Sequence, residues 1–276
     1  VATTSLAALP FFLNADDGER FCLYHEPEPG VQPQGTVLYV QPFAEELNKS
    51  RRMVTAQARS YAQAGYGVLQ IDLYGCGDSS GEFALARWDI WLDDLARAWQ
   101  WLAQRKLARR YVWGLRLGAL LALDFARQTR PDGVILWQPA ISGQAYLNQF
   151  ARLQSTARLF AGEAAAEQQT EIAGYLMSPS LSQTIRQLDA AAMMPHCPVQ
   201  WLELNIAPEG AAAEYAQAAG AKPGLQAASA LLVERWRASG AEVQTHAAYG
   251  EPFWSGADAN TGLSPALLAA AIPQEH

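Results

Sequence analysis

The sequence predicts an α/β protein with a mostly parallel sheet and helices on both faces. Short, almost continuously apolar β-rich runs alternate with longer helical stretches, and an unbroken apolar run is what a strand buried on both faces requires. The chain also has the capacity for such a core: of its 276 residues 50% are apolar, and nothing in it demands more than one domain.

The opening segments 11–14 and 19–25 flank Asp16, Asp17 and Gly18, turn formers that predict an antiparallel hairpin. Strands follow at 36–40, 66–72, 111–113, 133–137 and 199–204, and 242–248 closes the sheet. Between them the sequence predicts helices over 50–64, 88–104, 119–128, 225–239 and 264–271. Strand alternating with helix gives right-handed crossovers and a sheet covered on both sides. Residues 142–195 break the rhythm. They read as a helical insertion, with pieces at 145–160 and 164–176 and no strand. Placed over the carboxyl ends of parallel strands, it would cap the crevice where ligands of open α/β sheets bind. Residues 209–224 form an Ala/Gly-rich excursion, read as a short helix inside a long loop.

Charge and cysteine usage exclude several functions. A net charge of −7 and a pI near 5.1 do not suit a nucleic-acid groove or an anionic membrane surface, which need clustered Lys and Arg. The basic clusters, Lys49 with Arg51 and Arg52 and Arg105 to Arg110, fall at expected helix ends and read as solvated faces. Cys22, Cys76 and Cys197 lie far apart, which suggests neither a zinc site nor a disulfide framework, and no cofactor is called for. Val1 to Pro10 lack a basic start followed by an apolar run, and no stretch approaches the ~20 apolar residues of a membrane span. The expected location is cytoplasmic.

The most informative motif is Gly114-Leu115-Arg116-Leu117-Gly118, set between an apolar strand and an apolar helix. It has the form of the G-x-S-x-G elbow, whose glycines allow a tight turn that thrusts the middle side chain into a site at a helix N-terminus. Here that side chain is arginine. A guanidinium stays protonated and cannot attack a carbonyl.

Asp72-Leu-Tyr-Gly75-Cys76-Gly77-Asp78-Ser79 follows a strand and is similar to the D-x-x-G-x-G-x-S loop of α/β-hydrolases of the serine peptidase and lipase-like type. With the elbow downstream, the resemblance implies an α/β-hydrolase fold with a helical cap from about residue 36 to the C-terminus. Three further runs, 41–52, 114–119 and 250–254, resemble the second of two hydrolase-like proteins associated with the bacterial exosortase A system. That likeness implies a link to exopolysaccharide production and protein sorting, and a partner or small-molecule ligand from that setting. This chain departs from the pattern at Gln41-Pro42, where hydrolases of this fold carry His-Gly and backbone N–H groups help to bind the oxyanion. Pro42 removes one donor.

In this fold the nucleophile is followed by an acid after a later strand and a histidine after the last strand. The acid place offers only Glu209, and the last loop, 249–254, contains no histidine. His246 falls inside the preceding strand, where a hydrogen-bonded core role is the simpler reading. Cys76 and Ser79 lie on the correct edge of the sheet but have no placed base.

Arg116 would sit beside helix N-terminal amides and favour a carboxylate or phosphate over a neutral ester. Glu45, Glu46 and Glu251 occupy the loops expected to face it, and Gln41, Phe43, Leu117, Phe253 and Trp254 line the same region, with Trp137 and Tyr146 as further wall residues. Two readings stay open. Either a carboxylate neutralises Arg116 and plugs the site, or the charges hold an anionic, zwitterionic or sugar-containing ligand beneath the cap. A third possibility is an acyl or carboxylic-ester hydrolase with relocated catalytic residues.

Overall fold

A computed structural model describes residues 8–161, 171–172, 175–206, 223–255 and 265–271. The opening hairpin pairs β1 (Leu9–Ala15) with β2 (Gly18–His25), and Ala15 faces Gly18 across the turn. The parallel strands are β3 (Gly35–Val40), β4 (Tyr66–Ile71), β5 (Arg109–Leu115), β6 (Gly133–Trp137), β9 (Val199–Asn205) and β10 (Val243–Tyr249). The eight strands run in the order β1-β2-β4-β3-β5-β6-β9-β10, with β2 antiparallel to β4 and all later pairings parallel.

Two apolar layers sandwich this sheet. One packs the sheet against α2 (Trp88–Ala103), α3 (Leu117–Thr129) and α6 (Ala227–Ala238), through residues such as Trp91, Leu95, Leu120, Val233 and Trp236. The other packs it against α1 (Ala44–Gln63) and α7 (Pro265–Ala270), through Met53, Val54, Tyr61 and Leu267. Trp113 on β5 and Trp137 on β6 are buried edge to face with centroids 4.7 Å apart, a contact that adds about 1 kcal/mol to the burial of the rings.

The sheet has one topological switch point. From β3 the chain crosses by α1 to β4 on one side, then by α2 to β5 on the other. The carboxyl ends of β3 and β5 therefore border the crevice where open α/β sheets place their ligands.

Two departures from the expected elements are large. The first helix starts at Ala44 instead of residue 50, with Glu45 and Glu46 in its first turn, where carboxylates complement the helix dipole. Lys49 thus lies one turn inside the helix. The insertion after β6 contains α4 (Gly143–Ala161) and α5 (Pro179–Gln187), but the helix expected at 164–176 is not formed in its described part. There β7 (Glu171–Ile172) pairs antiparallel with β8 (Tyr175–Leu176). Ile172 and Tyr175 favour strand and Gly174 disfavours helix. The helix read inside 209–224 lies mostly outside the described residues.

Candidate functional site

The elbow is intact. Arg116 joins β5 to α3 at φ 55° and ψ −118°, a backbone conformation that costs an L-residue roughly 1–3 kcal/mol and persists only where neighbours enforce it. Its N–H donates to Trp137 O at 3.0 Å, and its carbonyl accepts from Ala119 and Ala140, both at 3.1 Å. The flanking glycines are required by contact. A Cβ on Gly114 would lie 2.5 Å from Gly118 O, and one on Gly118 would strike the carbonyl oxygens of Val40 and Gln41. α3 therefore starts against the end of β3 with no room for a methyl group.

This turn aims the Arg116 side chain at a cluster drawn from two helices, α1 and α4, and from the loops after β6 and β10. Nε donates to Glu46 Oε1 at 3.0 Å, Nη1 reaches Gln138 O at 3.4 Å, and Nη2 reaches Gln149 Oε1 at 3.5 Å. Tyr146, on α4, donates its hydroxyl to the other oxygen of Glu46 at 2.6 Å. The guanidinium carbon lies 5.4 Å from the ring centroids of both Tyr146 and Trp254, within cation–π range. The ion pair is enclosed, with 11% of the Arg116 side chain and 7% of that of Glu46 exposed. Burial raises the Glu46 carboxyl above the ordinary carboxylate range, against the opposing pull of Arg116 and the Tyr146 hydroxyl. Leaving either charge alone in this environment would be costly.

Of the residues expected here, Glu46, Arg116 and Trp254 meet directly. Phe43 stands one layer behind, its ring 5.8 Å from that of Tyr146, and Phe253 packs edge to face on Trp254 at 5.0 Å. Leu117 is buried in the core at the start of α3. The other carboxylates do not reach the cation. Glu45 turns outward to Lys49 at 3.0 Å, and Glu251 is exposed with no ion pair among the described residues. Gln41 is buried but faces the neighbouring loop, where its amide donates to Asp72 Oδ1 at 3.0 Å and accepts from Leu73 N at 3.3 Å.

Gln138 and Gln149 were not visible as site residues in the sequence. Gln138 follows β6 at a positive φ of 39° and its side chain accepts from Leu204 N at 2.8 Å, tying the end of β6 to β9. Its position at the carboxyl end of the strand beside the elbow was the available signal.

The alternative catalytic candidates are placed elsewhere. Ser79 donates to Asp72 O and accepts from Phe21 N at 2.9 Å, so it fastens its loop to β2. Cys76 is buried, and desolvation pushes its thiol far above the usual range. It packs in a lining shared with Phe43, Trp91 and Leu121 that leaves no room for a water molecule. His246 lies on β10 opposite Leu202, its Nε2 buried without a partner, and desolvation lowers its pKa. Glu209 lies outside the described residues. The described loop after β10, 250–255, carries no histidine.

Sheet order, crossovers and the positive-φ elbow at the switch point together define an α/β-hydrolase fold. The chain matches the family described as serine aminopeptidase, S33, over residues 32–214, and it belongs to that family. Solved structures agree on the fold. Est1E from Butyrivibrio proteoclasticus, with ferulic acid bound, is 14% identical with a TM-score of 0.58, covering 90% of this chain and 93% of its own. A highly thermostable carboxyl esterase from Bacillus coagulans, in complex with glycerol, gives 14% identity and a TM-score of 0.58 over 88% and 90% of the two chains. An α/β serine hydrolase without lid from Xanthomonas campestris is 16% identical with a TM-score of 0.54, over 90% and 86%. No curated protein matches the sequence. Among the described residues, no helix is long and apolar enough to cross a membrane.

Proposed function

We propose that this chain is a non-hydrolytic or weakly active α/β-hydrolase-fold protein that binds an anionic, zwitterionic or sugar-containing ligand, or a partner, at its elbow. The observation that carries this reading is the Arg116–Glu46 ion pair, 3.0 Å long and braced by Tyr146, in the place of a nucleophile. An arginine there supplies no attacking lone pair, and Pro42 supplies no N–H to an oxyanion. The insertion over 142–195 acts as a cap, since α4 brings Tyr146 and Gln149 onto Arg116. With three free cysteines and the exosortase-associated likeness of 41–52, 114–119 and 250–254, we propose that it works in the cytoplasm, serving exopolysaccharide production and protein sorting.

Fluorophosphonate labelling and turnover of short-chain esters test this. Neither labelling nor turnover is expected. Turnover that disappears when Cys76, Ser79 or His246 is replaced would establish an ester hydrolase with relocated residues instead.

A further inference from the structure

We propose that the terminal nitrogens of Arg116 bind the carboxylate of a small organic acid end-on, beside the rings of Tyr146 and Trp254. This rests on the reading of the elbow as a non-hydrolytic binding site, and it names the ligand's chemical class and the atoms that take it.

A carboxylate neutralises arginine best through two parallel hydrogen bonds, one to each oxygen. Glu46 makes one. Its Oε1 accepts from Nε at 3.0 Å, whereas Oε2 is taken by the Tyr146 hydroxyl at 2.6 Å. The Tyr146 bond prevents the carboxylate from swinging round to cover the Nη edge. That edge, the fork that receives a planar carboxylate end-on, has only long contacts, 3.4 Å to Gln138 O and 3.5 Å to Gln149 Oε1. Gln149 is exposed, so the lightly held edge is also the one directed toward the surface of α4.

The surroundings select among anions. The guanidinium carbon lies 5.4 Å from the centroids of the buried Tyr146 and Trp254 rings, so an acid held at the Nη edge would sit beside aromatic carbon, which suits an aromatic or sugar-ring acid. Glu46 already contributes a negative charge alongside, which disfavours a phosphate dianion relative to a carboxylate of single charge. Arg116 at the start of α3, a helix running Leu117–Thr129, adds the favourable end of the helix dipole.

Isothermal titration calorimetry of the full chain with benzoate, glucuronate and inorganic phosphate tests the assignment. Benzoate or glucuronate is expected to bind one per chain, and more tightly than phosphate. Arg116→Lys should weaken binding at least about tenfold, because an ammonium offers no fork. Gln149→Glu, a surface change, should do the same by presenting a competing carboxylate to Nη2, and it carries the test if the Arg116 variant fails to fold. Binding of neither acid, binding unchanged in Gln149→Glu, or phosphate binding as tightly as the acids would overturn the proposal. Ester turnover by the wild type would instead refute the non-hydrolytic reading on which it rests. Absent turnover with absent binding would refute the carboxylate site alone.

Discussion

Tyr146 and Glu46, 100 residues apart, share a hydrogen bond of 2.6 Å that fixes which oxygen of the carboxylate faces Arg116. Removing the phenol should free the carboxylate to rotate while leaving a buried acceptor unsatisfied. Tyr146→Phe is expected to cost about 2 kcal/mol, the range for a hydrogen bond to a charged group, read as a lower urea midpoint with an unchanged slope.

Breaking the ion pair should cost more than erasing it. Arg116→Met leaves Glu46 as an uncompensated buried acid, for a loss of about 3 kcal/mol, whereas Arg116→Met combined with Glu46→Leu should recover part of that loss. Chemical denaturation of the two variants checks the order. A double variant no more stable than the single one would remove the pair as the explanation.

Arg116→Ser should not yield an efficient esterase. The restored hydroxyl would have no base, because the described residues after β10 contain no histidine and His246 is held within the strand. Hydrolysis of p-nitrophenyl acetate by this variant should stay near the wild-type rate. A large rise would show that His246 or another group reaches the elbow.

Gly118→Ala should destabilise the fold by about 3 kcal/mol or prevent folding, since the added methyl meets the carbonyls of Val40 and Gln41, and backbone cannot yield as a side chain can. Gly30→Ala makes a useful comparison. No atom lies within 4 Å of a Cβ there, so its cost is confined to the positive φ, about 1 kcal/mol. Thermal melts of the pair separate the two effects.

Stability should fall in acid because of His25. This residue is 2% exposed, with Nδ1 unpartnered and Nε2 3.1 Å from Gln70 Nε2. Desolvation, aided by the Arg59 charge, lowers its pKa from 6.5 to about 4. The unfolded chain therefore takes up the proton first. The neutral ring's contribution is complete above the unfolded pKa of 6.5 and is lost as pH falls toward about 4, with a limiting slope of about 1.4 kcal/mol per pH unit. His25→Asn should flatten that limb in denaturation measured across pH.

The architecture was largely legible because its signals are local and repeated. Apolar runs located the six parallel strands within one or two residues, except β5, which extends by two at each end, through Arg109 and Leu115. Charged Arg109 and Arg110 masked its start, although strand pairing to Gly35 and Thr36 on β3 includes them. The site was legible as a neighbourhood and not as a set of bonds. Adjacent residues on a helix point about 100° apart, so Glu45 and Glu46 can be told apart only once α1 is known to begin at Ala44. Read as loop residues, they were interchangeable. Gln149 gave no sign at all, because its role depends on how α4 lies across the elbow.

The elbow separates aim from chemistry. Its direction is set by two glycines that let α3 close on β3, and none of those contacts involves the atoms of the side chain being presented. A cation and a nucleophile leave such a turn along the same Cα–Cβ vector. Position 116 is thus a socket: its occupant can be exchanged without rebuilding the mount, and what changes is the set of neighbours, here Glu46 and Tyr146, that must accommodate the new head group.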